Sequence, residues 1–399
     1  MIFINRDDFK LLNQDIIYFD NGATTLKPYV LADTISDYYN NYSANAHRGD
    51  YSMSLKVDDE YEKSRKIVSN FINADYNEVI FTNNATDSLN KIVLGYFENY
   101  LNEGDEVLIT LSEHASNVLP WFELNKRKGI IVKYIELTED HLVTLDNVKK
   151  SITDKTKVIS LAHVTNVLGD VRPIKEIVEF AHLNNIMVVV DGAQSVPHIK
   201  IDVKDIDMDF LAFSAHKMCG PTGVGVLYGK FELLCNMRPL IVGGGMNGNF
   251  EPNGEVQYNE PPHFYEAGTP NIAGVIGFGK VIEYLNTIGM DKIKERELEL
   301  KKYAVEKLKQ NPNIVIYNEN TESGIVTFNF KDIFSQDLAI YLNKYNICVR
   351  AGNHCAKILK KEINIKNTCR ISFYFYNTKE EIDKLVEVLN NPNIKNEII

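Results

Sequence analysis

The chain has 399 residues, 24% of them charged and 44% hydrophobic, with a formal net charge of −11. Such a length supports a large core and points to one large and one smaller domain. An acidic balance without any basic run excludes a nucleic-acid role, which needs a positive face for phosphates. No basic–apolar–small leader opens the chain, and no apolar run approaches the roughly eighteen residues of a membrane span. The expectation is a cytoplasmic protein with no membrane association. Cys219, Cys235, Cys348, Cys355 and Cys369 are odd in number and widely scattered, which disfavours a disulfide framework. None forms a Cys-x2-Cys pair, so no metal site is expected.

In chain order, residues 1–12 read as a short helix or irregular arm, and 16–19 as a small strand entering the turn Asp20-Asn21-Gly22-Ala23. Pro28 sits in the first turn of a helix reaching residue 39, where its missing N–H is tolerated. Residues 40–51 are polar and irregular and carry Asn45-Ala46-His47-Arg48-Gly49. A long amphipathic helix follows over 56–71. Strands over 78–82, 106–110, 130–135, 157–162 and 187–190 alternate with helices over 86–97, 117–128, 145–152 and 174–184. That alternation predicts a mainly parallel, doubly wound sheet.

Phe210 to Phe213 is a continuous apolar run suited to a strand buried on both faces. It runs into Ser214-Ala215-His216-Lys217, a Gly/Pro turn, and a second apolar run from Val224 to Leu227. Residues 240–271 break the rhythm with Gly, Pro and Asn, and so long an aperiodic segment is usually functional or mobile. Helices over 273–286 and 292–310 come next, the latter with a charged, solvent-facing side. Strands near 325–330, 348–350 and 370–373 and a helix over 379–389 read as a separate α+β unit, with residues beyond 390 fraying. The fold class is therefore α/β: a large domain over 20–280 with a mainly parallel doubly wound sheet, and a smaller α+β domain from 1–19 and 281–399.

Open α/β sheets bind ligands beyond the carboxyl ends of their strands. Lys217 stands at such an end, where a desolvated lysine loses its proton readily and forms a Schiff base. Asp191 ends the neighbouring strand, in Asp191-Gly192-Ala193-Gln194-Ser195. The pair suits pyridoxal phosphate (PLP), whose ring nitrogen needs a carboxylate while its aldehyde needs a lysine. Asn83-Asn84-Ala85-Thr86 lies between a strand and a helix, where free amides and the Thr86 hydroxyl suit a phosphate.

With Ser214-Ala215-His216-Lys217 followed by Gly223-Val224-Gly225, the chain resembles the class V aminotransferase family of fold-type I PLP enzymes. The resemblance extends from Asp20-Asn21-Gly22-Ala23 to Tyr376-Asn377-Thr378. It implies that Thr86, Ser214 and His216 bind the cofactor phosphate. Thr269, in Glu266-Ala267-Gly268-Thr269-Pro270, would reach that phosphate from the other subunit of a homodimer. His114 would stack on the pyridine ring and shuttle protons, and Asn166 and Gln194 would bond its phenolic oxygen. Arg370 would anchor the substrate carboxylate, which a guanidinium fork matches bidentately.

The deciding stretch is Arg350-Ala351-Gly352-Asn353-His354-Cys355-Ala356. Its polar surroundings set Cys355 apart from Cys235, Cys348 and Cys369, read as small buried hydrophobes, and from Cys219, confined in a Gly/Pro turn. Arg350 and His354 are expected to supply the positive charge that favours a thiolate. The stretch resembles the Cys loop of group II, SufS-like cysteine desulfurases. Asn353 stands where that loop has a histidine, and Lys357-Ile358-Leu359 differs from the family's usual residues. What the resemblance implies is conversion of L-cysteine to alanine through Lys217 and Cys355, with the sulfur passed as a persulfide to a SufU- or SufE-like acceptor for iron–sulfur cluster assembly. Arg350 and Asn166 would join Arg370 in binding substrate. The alternatives are a selenocysteine lyase, a true aminotransferase, and a non-catalytic scaffold.

Overall fold

A computed structural model describes residues 6–47 and 49–398, so residues 1–5 of the amino-terminal arm and Arg48 lie outside the described part. The central sheet has seven strands in the order Val79–Thr82, Gly225–Gly229, Phe210–Ser214, Met187–Asp191, Thr156–Ala162, Glu106–Thr110 and Ile131–Ile135. Gly225–Gly229 runs antiparallel to both its neighbours, and the other pairings are parallel. The expected mainly parallel α/β sheet is therefore present. Its strands alternate sides: Val188, Val190, Leu211 and Phe213 enter one core, while Val189, Phe210 and Ala212 enter the other. Burial on both faces explains why these stretches read as unbroken apolar runs.

The register brings the functional strand ends level. Asp191 pairs with Ala212, and Ala162 pairs with Asp191, so the residues that follow these strands emerge along one edge. A second sheet is antiparallel, in the order Ile314–Ile316, Ile325–Phe330, Thr368–Ser372 and Arg350–Gly352. It has its own apolar cluster, which includes Phe19, Val326, Ile371 and Leu385. Asp20 bridges to Ser372, and Ile17–Tyr18 pairs with Ile347–Cys348. These pairings dock the start of the chain on its far end, close to the loop carrying Cys355.

Several local expectations change. The strand expected over 348–350 is two pieces that pair with different partners, Ile347–Cys348 and Arg350–Gly352. The helix expected over 86–97 widens into π-helical turns over Lys91–Phe97. Residues 240–271 contain a hairpin of Asn247–Phe250 with Val256–Tyr258. Its exposed side chains gave no alternating signal. Arg370 lies in the middle of Thr368–Ser372 and is buried, not at a strand start.

The fraying expected beyond 390 is not seen over Ile394–Glu397, a short helix whose Ile394 is buried in the second sheet's apolar cluster. Nor are all the other cysteines buried: Cys235 is exposed and Cys348 half-buried, while Cys219 and Cys369 are buried. Among the described residues no helix is long and apolar enough to cross a membrane. Ile394→Ala should cost about 2–5 kcal/mol, the range for truncating a buried Ile, despite its position near the chain end. Urea unfolding checks this, and an unchanged midpoint would mean that this turn is not docked.

Candidate active site

A cavity of about 440 Å³ opens where the two sheets meet. It is lined by Lys217, Asp191, Gln194, His114, Asn166, Thr86, Ser214, His216, Arg350, Arg370 and Cys355. Every site residue expected from the sequence is thus on its wall except Thr269, which is exposed in the 240–271 segment. The two reactive groups expected from distant parts of the chain share one space. Their charges act on one another: burial lowers the Lys217 pKa, with Asp191 and Cys355 opposing and Arg370 reinforcing that shift. A lysine in this state holds a larger share of neutral, nucleophilic amine than one in water.

Asp191 accepts the Ala193 N–H at 2.9 Å, and burial pushes its pKa up to about 6. It remains an anion at neutral pH and can hold a protonated ring nitrogen. His114 is pushed down to about 4 by burial and by Lys217, so its imidazole stays neutral. Its Nδ1 faces Ser116, whose Oγ lies 2.7 Å from Thr86 Oγ1. Asn84 caps the helix above by accepting the Asp87 N–H at 3.0 Å, and Ser214 Oγ accepts the Ala85 N–H at 2.8 Å. Burial also lowers His216, to about 4.

Arg370 donates to the Asn166 carbonyl at 2.8 Å and pairs with Asp20 at 3.3 Å. Asp20 also holds Arg350 at 3.1 Å, so a single carboxylate gathers both arginines at the cavity mouth. The amide donors assigned to a phenolic oxygen point elsewhere: Gln194 Nε2 donates to the Gly22 carbonyl and Asn166 Nδ2 to the His354 carbonyl. Asn166 Oδ1, Gln194 Oε1 and Arg370 Nε are buried and have no hydrogen-bond partner among the described residues. Unpaired buried polar atoms are costly. Three on one cavity wall leave hydrogen-bonding capacity for a bound polar molecule. Together with the lysine, the acid and the helix start, they fit PLP.

The Cys355 loop is tied to Ala115 and braced internally by Asn353. Its carbonyl accepts the Ala115 N–H at 2.9 Å, and its N–H donates to Asn353 Oδ1 at 3.1 Å. Gly352, His354 and Cys355 all have positive φ, at 127°, 52° and 58°. Two of them are not glycine, a backbone strain typical of functional loops. Cys355 is exposed. His354 does not supply the expected positive charge. It is buried against Thr368 at 2.9 Å, and burial with Arg370 and Lys360 pushes its pKa down to about 2. Arg350, Arg370 and Lys217 are the cations that share the cavity wall with the thiol.

Sequence reading missed the polar scaffold beneath the site. Arg172, wholly buried, pairs with Glu113, donates to the Ala162 carbonyl at 3.0 Å and to Ser112 Oγ at 2.7 Å. Glu113 also accepts the Ala162 N–H at 2.8 Å, so the pair fixes the strand end beside His114. Two opposite charges next to buried strands were the available signal. Away from the cavity, His47, Glu62 and His263 bring metal-ligand types together. Arg65 and Tyr76 already bond the Glu62 carboxylate, and His47 pairs with it at 3.1 Å, which accounts for the group as an ion-pair network.

Comparison with known proteins agrees with this geometry. The class-V aminotransferase family model matches residues 17–385. A probable cysteine desulfurase of Halalkalibacterium halodurans is 42% identical over 387 residues, spanning 96% of this chain and 95% of that protein. One from Staphylococcus epidermidis is 42% identical over 383 residues, spanning 95% and 92%. Among solved structures, the apo cysteine desulfurase of Thermococcus onnurineus superposes with a TM-score of 0.94 at 36% identity, covering 99% of this chain and 100% of that one. The Escherichia coli cysteine desulfurase CsdA gives 0.92 at 32%, covering 99% and 98%. With its lysine, acid and thiol around one cavity, the chain belongs to the class-V aminotransferase family, PLP-dependent enzymes, and within it to the cysteine desulfurases.

Proposed function

We propose that the protein removes sulfur from L-cysteine, releasing alanine and carrying the sulfur as a persulfide on Cys355. The observation that carries this reading is the shared cavity of Lys217 and Cys355, with Asp191 and Arg370 on its wall. Bound there, PLP supplies an aldehyde for the substrate amine and a ring that takes up electron density from Cα. Asp191 holds the ring nitrogen protonated, and Thr86, Ser214 and His216 serve the phosphate. Arg370 binds the substrate carboxylate, with Arg350 and Asn166 beside it. Lys217, with its pKa lowered by burial, takes the Cα proton as a neutral amine. His114, neutral beside it, moves protons at the same face.

The Cys355 thiolate then attacks the substrate sulfur. The substrate Cβ–S bond breaks with its electron pair staying on carbon, an S–S bond forms at Cys355, and protonation of the carbon yields alanine. The persulfide must leave on an acceptor thiol, which suits an exposed loop. We assign the acceptor to iron–sulfur cluster assembly, a SufU- or SufE-like protein, and the chain to the SufS-like group II branch in the cytoplasm. A homodimer would bring Thr269 to the partner's phosphate site. The catalytic unit is a large domain over 20–280 with a smaller one from 1–19 and 281–399 that carries the Cys355 loop.

His354 of that loop shares Thr368 Oγ1 with Lys360, a buried amine bonded to it at 2.6 Å, whose pKa is lowered to about 8 by burial and by Arg370. A base with a depressed folded-state pKa costs stability below that value, and the cost fades as pH rises toward its ordinary one. Lys360→Met should therefore raise stability at pH 7 by about 1–2 kcal/mol, and by less at pH 10. Thermal unfolding at both values reads this, and an equal gain at both would reject the charge as its origin.

Cys355→Ser should retain the visible absorbance of bound PLP yet release no sulfide from cysteine; undiminished release would remove Cys355 from the reaction. Arg370→Lys should raise KM for cysteine about tenfold or more, because one ammonium cannot reproduce a bidentate fork. An unchanged KM in steady-state assays would place the carboxylate elsewhere.

A further inference from the structure

Four hydrogen-bond donors converge on the carbonyl oxygen of His216. They are Lys27 Nζ at 2.7 Å, Thr24 Oγ1 at 2.9 Å, Thr25 N at 3.1 Å and Thr25 Oγ1 at 3.2 Å. A carbonyl oxygen has two lone pairs, so the four share it. The peptide that follows this oxygen belongs to Lys217. Thr25 Oγ1 also accepts the Cys219 N–H at 2.7 Å, which grips the turn on the far side of Lys217.

Lys27 is the one charged member of this group. Its ammonium also donates to neutral oxygens, the Thr25 carbonyl at 2.7 Å and Thr24 Oγ1 at 3.3 Å. The titratable groups facing it are the His216 imidazole and the buried Cys219 thiol, whose pKa burial pushes up to about 12. Both are neutral at physiological pH, and among the described residues no carboxylate pairs with the ammonium. Holding a cation among neutral carbonyls is costly, and burial accordingly lowers the Lys27 pKa to about 8. Lys27 lies outside the cavity lining and touches neither substrate nor cofactor space.

We propose that Lys27 is a positioning residue for Lys217: its ammonium clamps the His216 carbonyl and so fixes the peptide from which the Lys217 side chain reaches into the cavity. The chain segment before the first helix thus acts on the reacting amine through one backbone oxygen. The inference rests on the reading of Lys217 given above, and its test separates the two.

Holoenzyme carrying Lys27→Met, Lys27→Arg or Thr24→Val is compared with the unchanged chain. Three readouts are taken: PLP content, the pH titration of the bound cofactor's visible band without substrate, and kcat and KM for cysteine. Lys27→Met should keep full PLP content, displace the titration midpoint, and lower kcat about tenfold or more with KM within about twofold, as small misplacements of a reacting group do. Lys27→Arg, which restores a cationic donor, should recover most of both. Thr24→Val removes a different donor to the same oxygen and should shift the titration in the same direction by less; it carries the test if Lys27→Met does not fold. Unchanged titration and kcat in Lys27→Met and Thr24→Val would overturn the proposal. So would losses that only track lost PLP. An unchanged chain that binds PLP but yields no alanine would defeat the desulfurase reading and leave this one standing, since the band is titrated without cysteine.

Discussion

A lysine amine withdrawn from water at the end of a central strand is the constraint on which the rest of the molecule depends. Taking an ammonium out of water is unfavourable, so Lys217 is held partly toward its neutral form, with Asp191 opposing the shift. That arrangement needs a rigid floor, which the parallel strands on either side of Asp191 provide through burial on both faces. It also needs walls that keep bulk water from the reacting atoms. The second sheet supplies those, and with them Arg370 and the Cys355 loop.

Because the wall residues come from distant parts of the chain, the cavity exists only when several segments dock correctly. Asp20 gathers Arg350 and Arg370, Gly22 receives Gln194, and Thr24, Thr25 and Lys27 receive the turn of Lys217. A few residues near the start of the chain thereby touch Arg370, Gln194 and the turn that carries Lys217. Beneath them, the buried Arg172–Glu113 pair fixes the strand end next to His114. Such a buried ion pair is weak evidence for stability, but breaking it would leave an uncompensated charge under the site. Its place is better explained by geometry than by net stabilisation.

Much of this was legible in the sequence, for identifiable reasons. Strands buried on both faces leave continuous apolar runs, and polar residues at their ends stand out, so Asp191 and Lys217 were readable as a pair. Arg370 was readable as a cation out of place in an apolar strand, although its position within that strand was not. The hairpin over Asn247–Phe250 and Val256–Tyr258 gave no signal because both of its faces are largely exposed. The missing charge on His354 was invisible because burial, which only the fold supplies, sets its protonation. Ile394 looked like part of a polar tail because its apolar partners lie far away in sequence. The convergence on the His216 carbonyl could not be read either, since a backbone acceptor has no sequence signature.

The account's central claim is that the PLP-bearing lysine and the Cys355 thiol act on one substrate molecule across a shared cavity. Its most direct test is to mix PLP-loaded protein with one equivalent of L-cysteine, without any acceptor or reductant, and map the protein by peptide mass spectrometry. The account predicts one equivalent of alanine and a single added sulfur atom on the peptide carrying Cys355. Alanine formed without that added sulfur, or sulfur found on Cys235 or Cys348 instead, would contradict it.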